Sequence, residues 1–158
     1  MDRDAWDLHP DSVERALDSF LPRSAGQVMR EAFYGVRRFD DFVHHTGLNP
    51  AGVSARLKQL VADDMLERVG YQEPGERRRH EYRLTRKSQE LMEVVVALLG
   101  WADRWLPGPD GPTVLLRHEG CGHAVHAEAR CEAGHRIDGF ADLDSLPGPG
   151  ARPAQGME

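Results

Sequence analysis

The stretch NPAGVSARLKQLVADDMLERVG, residues 49 to 70, constrains the fold of this 158-residue chain more than any other segment. Asn49 offers an N-cap oxygen, and Pro50 occupies the first helical position, where its missing N–H is no loss. A helix therefore starts at Pro50. Within it Val53, Leu57, Leu60 and Val61 share one face, and Ala51, Gly52, Ser54, Ala55, Lys58 and Gln59 fall on the opposite one. Small side chains at the N-terminal end of that second face let the backbone approach a flat or grooved surface, to which Ser54, Lys58 and Gln59 can hydrogen-bond. The major groove of DNA is such a surface.

The flanking segments supply the rest of an architecture. Residues 11 to 20, DSVERALDSF, place Val13, Ala16, Leu17 and Phe20 at helical spacing. Ser24 with Gln27 matches a capping box, and Val28, Met29, Ala32 and Phe33 continue an apolar face until Gly35. Asp40 is placed to cap a third, shorter helix that carries Phe42 and Val43 and ends at Gly47. After the fourth helix, MLERVGYQ and HEYRLT alternate around the turn signal Glu73-Pro74-Gly75, which predicts a β-hairpin with Tyr82 and Leu84 on one face. Arg77, Arg78 and Arg79 stand together near its tip, a cluster suited to phosphates or a narrow minor groove. Thr85 is expected to cap a long helix reaching about Leu106, with Leu91, Val94, Val95, Leu98, Ala102 and Trp105 facing inward. Val96, Leu99 and Trp101 make that helix apolar nearly all round, which predicts cover from a second subunit and a twofold dimer.

Charge is distributed to match. The chain is net −6, yet residues 23 to 87 hold thirteen Lys and Arg against nine Asp and Glu. A basic centre between acidic ends can meet a polyanion while the whole stays soluble. No apolar run approaches the roughly 18 residues that span a bilayer, and the acidic start MDRDAWD lacks the order of an export signal, so a cytoplasmic protein with no membrane partner is expected. Two cysteines, Cys121 and Cys131, are too few and too late in the chain to hold the fold together.

The order of helices, hairpin wing and final helix reads as mainly α with a small β-hairpin wing: a dimeric winged helix-turn-helix over residues 11–106. Residues 1–10 form an arm, 107–112 (PGPDGP) a stiff linker, 113–146 a Cys/His-containing C-terminal tail hairpin, and 147–158 a segment expected to lack structure. MREAFYGVRRFDDF, GVSARLKQLVADDMLERVGYQ and HEYRLTRKSQEL, in this order and spacing, resemble the HxlR family of bacterial regulators, within the MarR-like superfamily. The resemblance implies a dimeric transcription factor, repressor or activator, whose fourth helix enters the major groove and whose wing touches the backbone or minor groove. The expected DNA-contacting set is Asn49, Pro50, Ala51, Gly52, Ser54, Ala55, Arg56, Lys58 and Gln59, with Arg77, Arg78 and Arg79 from the wing. Arg37 and Arg38 either touch phosphates or pair with Glu31, Asp40 or Asp41. Two departures stand out. Where many relatives carry a sensing cysteine ahead of the first helix this chain has His9-Pro10 and Ser12-Val13, so thiol sensing is excluded there, and LPRSAGQ replaces the usual tryptophan-containing start of the second helix.

The tail packs His118, Cys121, His123, His126, Cys131 and His135 into eighteen positions. Two close pairs, His118-x2-Cys121 and Cys131-x3-His135, could supply four ligands to a structural zinc, with His123 as an alternative to His118. A metal-free hairpin with solvated histidines and a Cys121–Cys131 disulfide are the other readings, the last disfavoured in a reducing cytosol. Cysteine beside histidine lacks the pocket or oxyanion element of a catalytic site, so no enzyme is expected. Function thus reads as a homodimeric regulator of double-stranded DNA tuned by a small-molecule effector. The alternatives are a dimeric interaction or antirepressor module that binds no DNA, and a metal-responsive sensor working through the tail.

Overall fold

The computed structural model describes residues 3–9, 11–20, 22–72, 75 and 77–154. In chain order its elements are β1 (Trp6–Asp7), α1 (Ser12–Phe20), α2 (Arg23–Phe33), α3 (Phe39–Thr46), α4 (Pro50–Ala62), β2 (Leu66–Tyr71), β3 (Arg79–Leu84), α5 (Arg86–Gln89), α6 (Met92–Trp105) and β4 (Arg152–Pro153). They divide into two compact units, residues 10–90 and residues 1–9 with 91–158.

In the unit of residues 10–90, α2, α3 and α4 enclose one core. Ala25, Val28, Met29 and Ala32 recur at helical spacing along α2 and are buried with Phe42 of α3, Val53, Leu57 and Leu60 of α4, and Met65 and Leu66. The helix starts follow backbone geometry more than the capping signals. Ala25 N–H and Gly26 N–H donate to the Pro22 carbonyl at 2.7 and 3.0 Å, so α2 begins one residue before Ser24 and uses no side-chain cap. Arg38, extended, precedes α3, which leaves Asp40 and Asp41 in the first turn, where their charges face the positive end of the helix dipole. Gly47 closes α3 at φ 68°, a left-handed conformation that costs glycine little. The Thr46 hydroxyl donates to the Phe42 carbonyl at 2.6 Å and accepts from Leu48 N–H at 3.3 Å, which ties the turn to the end of α3. Asn49 caps α4 as its sequence requires, its Oδ1 accepting from Gly52 N–H at 2.7 Å. At the other end of α4, Asp64 adopts φ 56° and Met65 N–H returns to the Leu60 carbonyl at 2.8 Å, turning the chain into β2.

β2 and β3 form an antiparallel hairpin with Leu66 opposite Leu84 and Tyr71 opposite Arg79. Of its turn, Glu73 and Pro74 lie outside the described residues, and Gly75 is left-handed at φ 81°. Tyr82 anchors the hairpin: its N–H donates to the Arg37 carbonyl at 2.8 Å and its ring meets Phe42 edge-on, centroids 6.2 Å apart. Thr85 does cap a helix, accepting from Ser88 N–H at 3.3 Å, but that helix is the single turn of α5 rather than one running to Leu106. The Thr85 hydroxyl on the Asp64 carbonyl (2.7 Å) and the Lys87 ammonium on the Asp63 carbonyl (2.7 Å) pin α5 to the α4–β2 turn, and the chain breaks at Glu90 before α6. On α1, Val13 and Leu17 are exposed, so the apolar face read from its spacing is not covered by this chain; the Phe20 side chain lies outside the described set.

In the second unit, α6 is rotated from expectation. Val96 is buried, with Leu91, Val95, Leu99 and Ala102 half-buried, whereas Val94, Leu98 and Trp105 of the expected inward stripe face solvent with Met92 and Trp101. Period alone could not choose between two apolar faces of one helix. The final segment, expected to lack structure, carries β4, which pairs with β1 through Trp6 opposite Pro153. Residues 155–158 lie outside the described set.

Leu57→Ala removes a fully buried side chain at the centre of the three-helix core. It should lower unfolding free energy by about 2–5 kcal/mol, and Asn49→Ala by about 0.5–2 kcal/mol, both read from urea transitions.

Candidate nucleic-acid interface

The interface expected of α4 is laid out by its buried face. With Val53, Leu57 and Leu60 inward, Asn49, Pro50, Ala51, Ala55 and Lys58 are exposed, and Gly52, Ser54, Arg56 and Gln59 half-buried at the margins. Val61, expected inward, is only half-buried. The exposed line of Ala51, Ala55 and Lys58 puts two methyl groups and one ammonium along a low surface. Gly52 also has a local reason to lack a side chain, since a Cβ there would stand 3.2 Å from Asn49 Oδ1 and crowd the capping bond. Arg56 and Gln59, both in the expected set, are already joined by a hydrogen bond from Arg56 Nη1 to Gln59 Oε1. That bond leaves the other guanidinium N–H groups of Arg56 and the amide N–H groups of Gln59 as donors.

The wing carries its cations at different heights. Arg77, Arg78 and Arg79 are all exposed. Arg78 lies back across the strand, so that a Cβ on Gly70 would meet its Nη2 at 3.0 Å and its Nε at 3.1 Å. The bare backbone of Gly70 is what makes room for it. Arg37 and Arg38 are fastened to the wing's edge rather than sitting in a free loop: the Arg37 carbonyl accepts from Tyr82 N–H, the Arg38 backbone forms an isolated antiparallel bridge with Glu81, and the Arg38 guanidinium stands 5.2 Å from the centre of the Tyr71 ring. Glu31, offered as a partner for them, is bound instead by Arg30, Nε to Oε1 at 2.9 Å. Sequence reading overlooked Arg68 and His80, which meet across the hairpin at 3.0 Å between Nη2 and Nδ1. The signal was there in the hairpin register, because alternation puts Arg68 and His80 on one face of the sheet. Arg83 adds no free charge, since its Nε donates to Glu81 at 2.6 Å.

The tail consists of two tight turns. His118 N–H bonds the His123 carbonyl at 2.9 Å around Cys121 and left-handed Gly122, and Cys131 N–H bonds the His135 carbonyl at 3.0 Å around left-handed Gly134. Each turn joins its own pair: His118 Nδ1 lies 3.3 Å from Cys121 Sγ, and His135 Nδ1 lies 3.6 Å from Cys131 Sγ. His123 Nδ1 is occupied by the Cys121 carbonyl at 3.1 Å. Among the described residues no three His, Cys, Asp or Glu side chains are grouped to hold a metal, and the two pairs that could supply zinc ligands stand as separate pairs. Both thiols are free and exposed, which removes the disulfide reading. Glu128 lies between the turns and accepts from Arg130 at 2.7 Å while facing Arg136 at 3.8 Å and His126 at 3.7 Å. The hydrogen bond and charge of Arg130, helped by Arg136 and His126, hold the Glu128 carboxyl below the usual glutamate range.

The HxlR-like helix-turn-helix family matches residues 23–110, more than half of the chain. The chain belongs to this family. It is 39% identical over 140 residues to the uncharacterized HTH-type transcriptional regulator Rv3095 of Mycobacterium tuberculosis, covering 89% of this chain and 86% of that protein. Among solved structures it is similar to PA1607, a candidate transcription factor, with TM-score 0.77 and 28% identity over 87% of this chain and 95% of the other. It is also similar to the candidate transcription factor PA1374 of Pseudomonas aeruginosa, with TM-score 0.58 and 27% identity over 86% and 91%. This HxlR-type protein is therefore a transcriptional regulator with a winged helix-turn-helix DNA-binding fold, and its family and relatives are regulators rather than enzymes. None of its described helices is long and apolar enough to cross a membrane.

Because the Glu128 carboxyl is depressed, its ion pairs contribute above the ordinary glutamate pKa and are lost as pH falls through the lower folded value. Carboxyl NMR should place its midpoint below that of a free glutamate, and Arg130→Ala should raise it.

Proposed function

We propose that this HxlR-type protein acts as a homodimer that binds a specific, roughly palindromic operator and is modulated by a small-molecule effector. The observation that carries the reading is the pairing of faces on α4: three buried aliphatic side chains hold it against the core, so that the low surface of Asn49, Pro50, Ala51 and Ala55 is turned outward with Lys58 beside it. In this reading Ser54, Lys58, Arg56 and Gln59 reach base edges or phosphates, and Arg77, Arg78 and Arg79 follow the backbone or enter the minor groove. Arg37, Arg38 and Arg68 add cations near the same hairpin.

Dimerisation is supported by what the single chain leaves bare. Val94, Leu98, Trp101 and Trp105 are each about half exposed or more, a contiguous apolar stripe on one face of α6, and Val13 and Leu17 of α1 are likewise uncovered. Pairing two copies through α6 covers such a stripe at no cost in new sequence. Twofold symmetry then sets half-sites about 10 bp apart, or a multiple of it.

Fluorescence anisotropy with DNA from upstream of the protein's own gene tests the proposal. Affinity should fall steeply as salt rises, and Arg77→Ala/Arg78→Ala/Arg79→Ala should lower the slope of log affinity against log salt by about 1 for each phosphate the wing no longer neutralises. Binding that is absent, or indifferent to salt, would instead favour a dimeric interaction module. Val94→Asp/Leu98→Asp should sediment as a monomer and lose at least about tenfold in operator affinity, because one half-site alone then carries binding.

A further inference from the structure

The second unit contains a cleft that binding to DNA leaves unused. One wall is α6, through Val96, Leu99, Trp101 and Trp105, and the other is the stretch of residues 114–127, through Leu116 and Val125. Its volume of about 430 Å³ lies within the span of small-molecule sites, about 300–1,000 Å³. The lining is apolar, yet Arg104, Arg117 and His126 stand on it against one carboxylate, Asp103.

Two observations go beyond shape. Among the described residues Arg104 and Arg117 have no ion pair and no side-chain hydrogen bond, although nearby Arg130 and Arg136 share Glu128 and Arg136 also holds Asp138 at 2.8 Å. Two guanidinium groups beside an apolar cleft, left without an anion in a chain rich in carboxylates, are complementary to an anion from outside. The second is Gly100. It lies in the middle of α6 and lines the cleft, a position where glycine weakens a helix relative to alanine. Its φ is not in the left-handed range, and a Cβ built on it would meet nothing within 4 Å. Neither backbone conformation nor packing asks for glycine there. What its missing side chain preserves is open volume between the helix and the facing wall.

We propose that this cleft takes an organic anion with a flat apolar body, an aryl carboxylate, whose ring lies against Trp101 and Trp105 and whose carboxylate is met by Arg104 and Arg117. The ligand is the effector of the regulator reading above, and the proposal rests on that reading for its consequence. Trp101 and Trp105 belong both to the cleft and to the bare stripe of α6, so an occupant alters the surface through which two copies meet and biases the paired arrangement by its differential affinity for the two states.

Isothermal titration calorimetry on the full-length protein with 2-naphthoate, and with the neutral isostere 2-naphthamide, decides between outcomes. The acid should bind with one site per chain and the amide at least about tenfold more weakly. Arg104→Gln/Arg117→Gln should weaken the acid about tenfold and leave the amide as it was. Gly100→Leu should keep the helical circular dichroism of the parent and abolish binding of both compounds by filling the cleft. Failure of the parent to bind naphthoate, equal affinity for acid and amide, or binding that survives in Gly100→Leu would each overturn the site. Repeating the operator titration with naphthoate should shift DNA affinity in the parent and not in Gly100→Leu. Binding in the calorimeter with no such shift would overturn the effector role. A chain that binds no DNA fails the regulator reading while the calorimetry still reports on the cleft.

Discussion

Burial of Val53, Leu57 and Leu60 against α2 and α3 is the interaction on which the rest of this structure depends. A helix is a rigid body with residues 100° apart, so once three positions on one side are fixed in a core, the direction of every other side chain follows. Ala51, Ala55 and Lys58 are outward because those three aliphatic residues are inward. The Asn49 cap and the Gly47 turn then set where along its axis the helix begins. The same small residues that lower the outer surface also serve this local geometry, as Gly52 does by leaving room for the Asn49 oxygen. Recognition surface and cap are built from overlapping residues.

The wing is held to that core by one residue used three ways. Tyr82 pairs with Arg68 in the hairpin, donates its N–H to Arg37 and sets its ring edge-on to Phe42. Arg37 and Arg38, which precede α3 in the chain, thereby become neighbours of β3. Their cations gather with those of the hairpin although they are some forty residues away in sequence. This folding back adds Arg37 and Arg38 to a hairpin that already carries Arg77, Arg78 and Arg79, and so concentrates positive charge further on a protein of net −6.

Apolar surface is managed differently in the two units. In residues 10–90 the buried aliphatic side chains gather in one core, whereas α6 carries its apolar residues on two faces, one half-buried by its own unit and one left bare. A single 14-residue helix that is apolar nearly all round needs cover twice. The tail closes on itself by backbone hydrogen bonds and by the shared carboxylate of Glu128, which offsets the repulsion between Arg130 and Arg136 placed opposite one another. Its two histidine–cysteine pairs are each satisfied locally.

The sequence by itself determined the helix-turn-helix, the wing and the face that α4 presents, because those depend on short-range signals: an Asn-Pro start, a glycine stop, period 3.6 giving way to period 2. HxlR membership was legible in the same three blocks. Local capping was less so, since Ser24 and Asp40 have the chemistry of caps but the Pro22 and Arg38 carbonyls start those helices by position. Only the tertiary structure decided which of two apolar faces of α6 turns inward, that α5 is cut from α6 by its ties to the α4–β2 turn, that β4 pairs with β1, and that His118 meets Cys121 and His135 meets Cys131 within separate turns. Each of these depends on which distant groups compete for the same neighbour, and spacing along a chain carries no record of that competition.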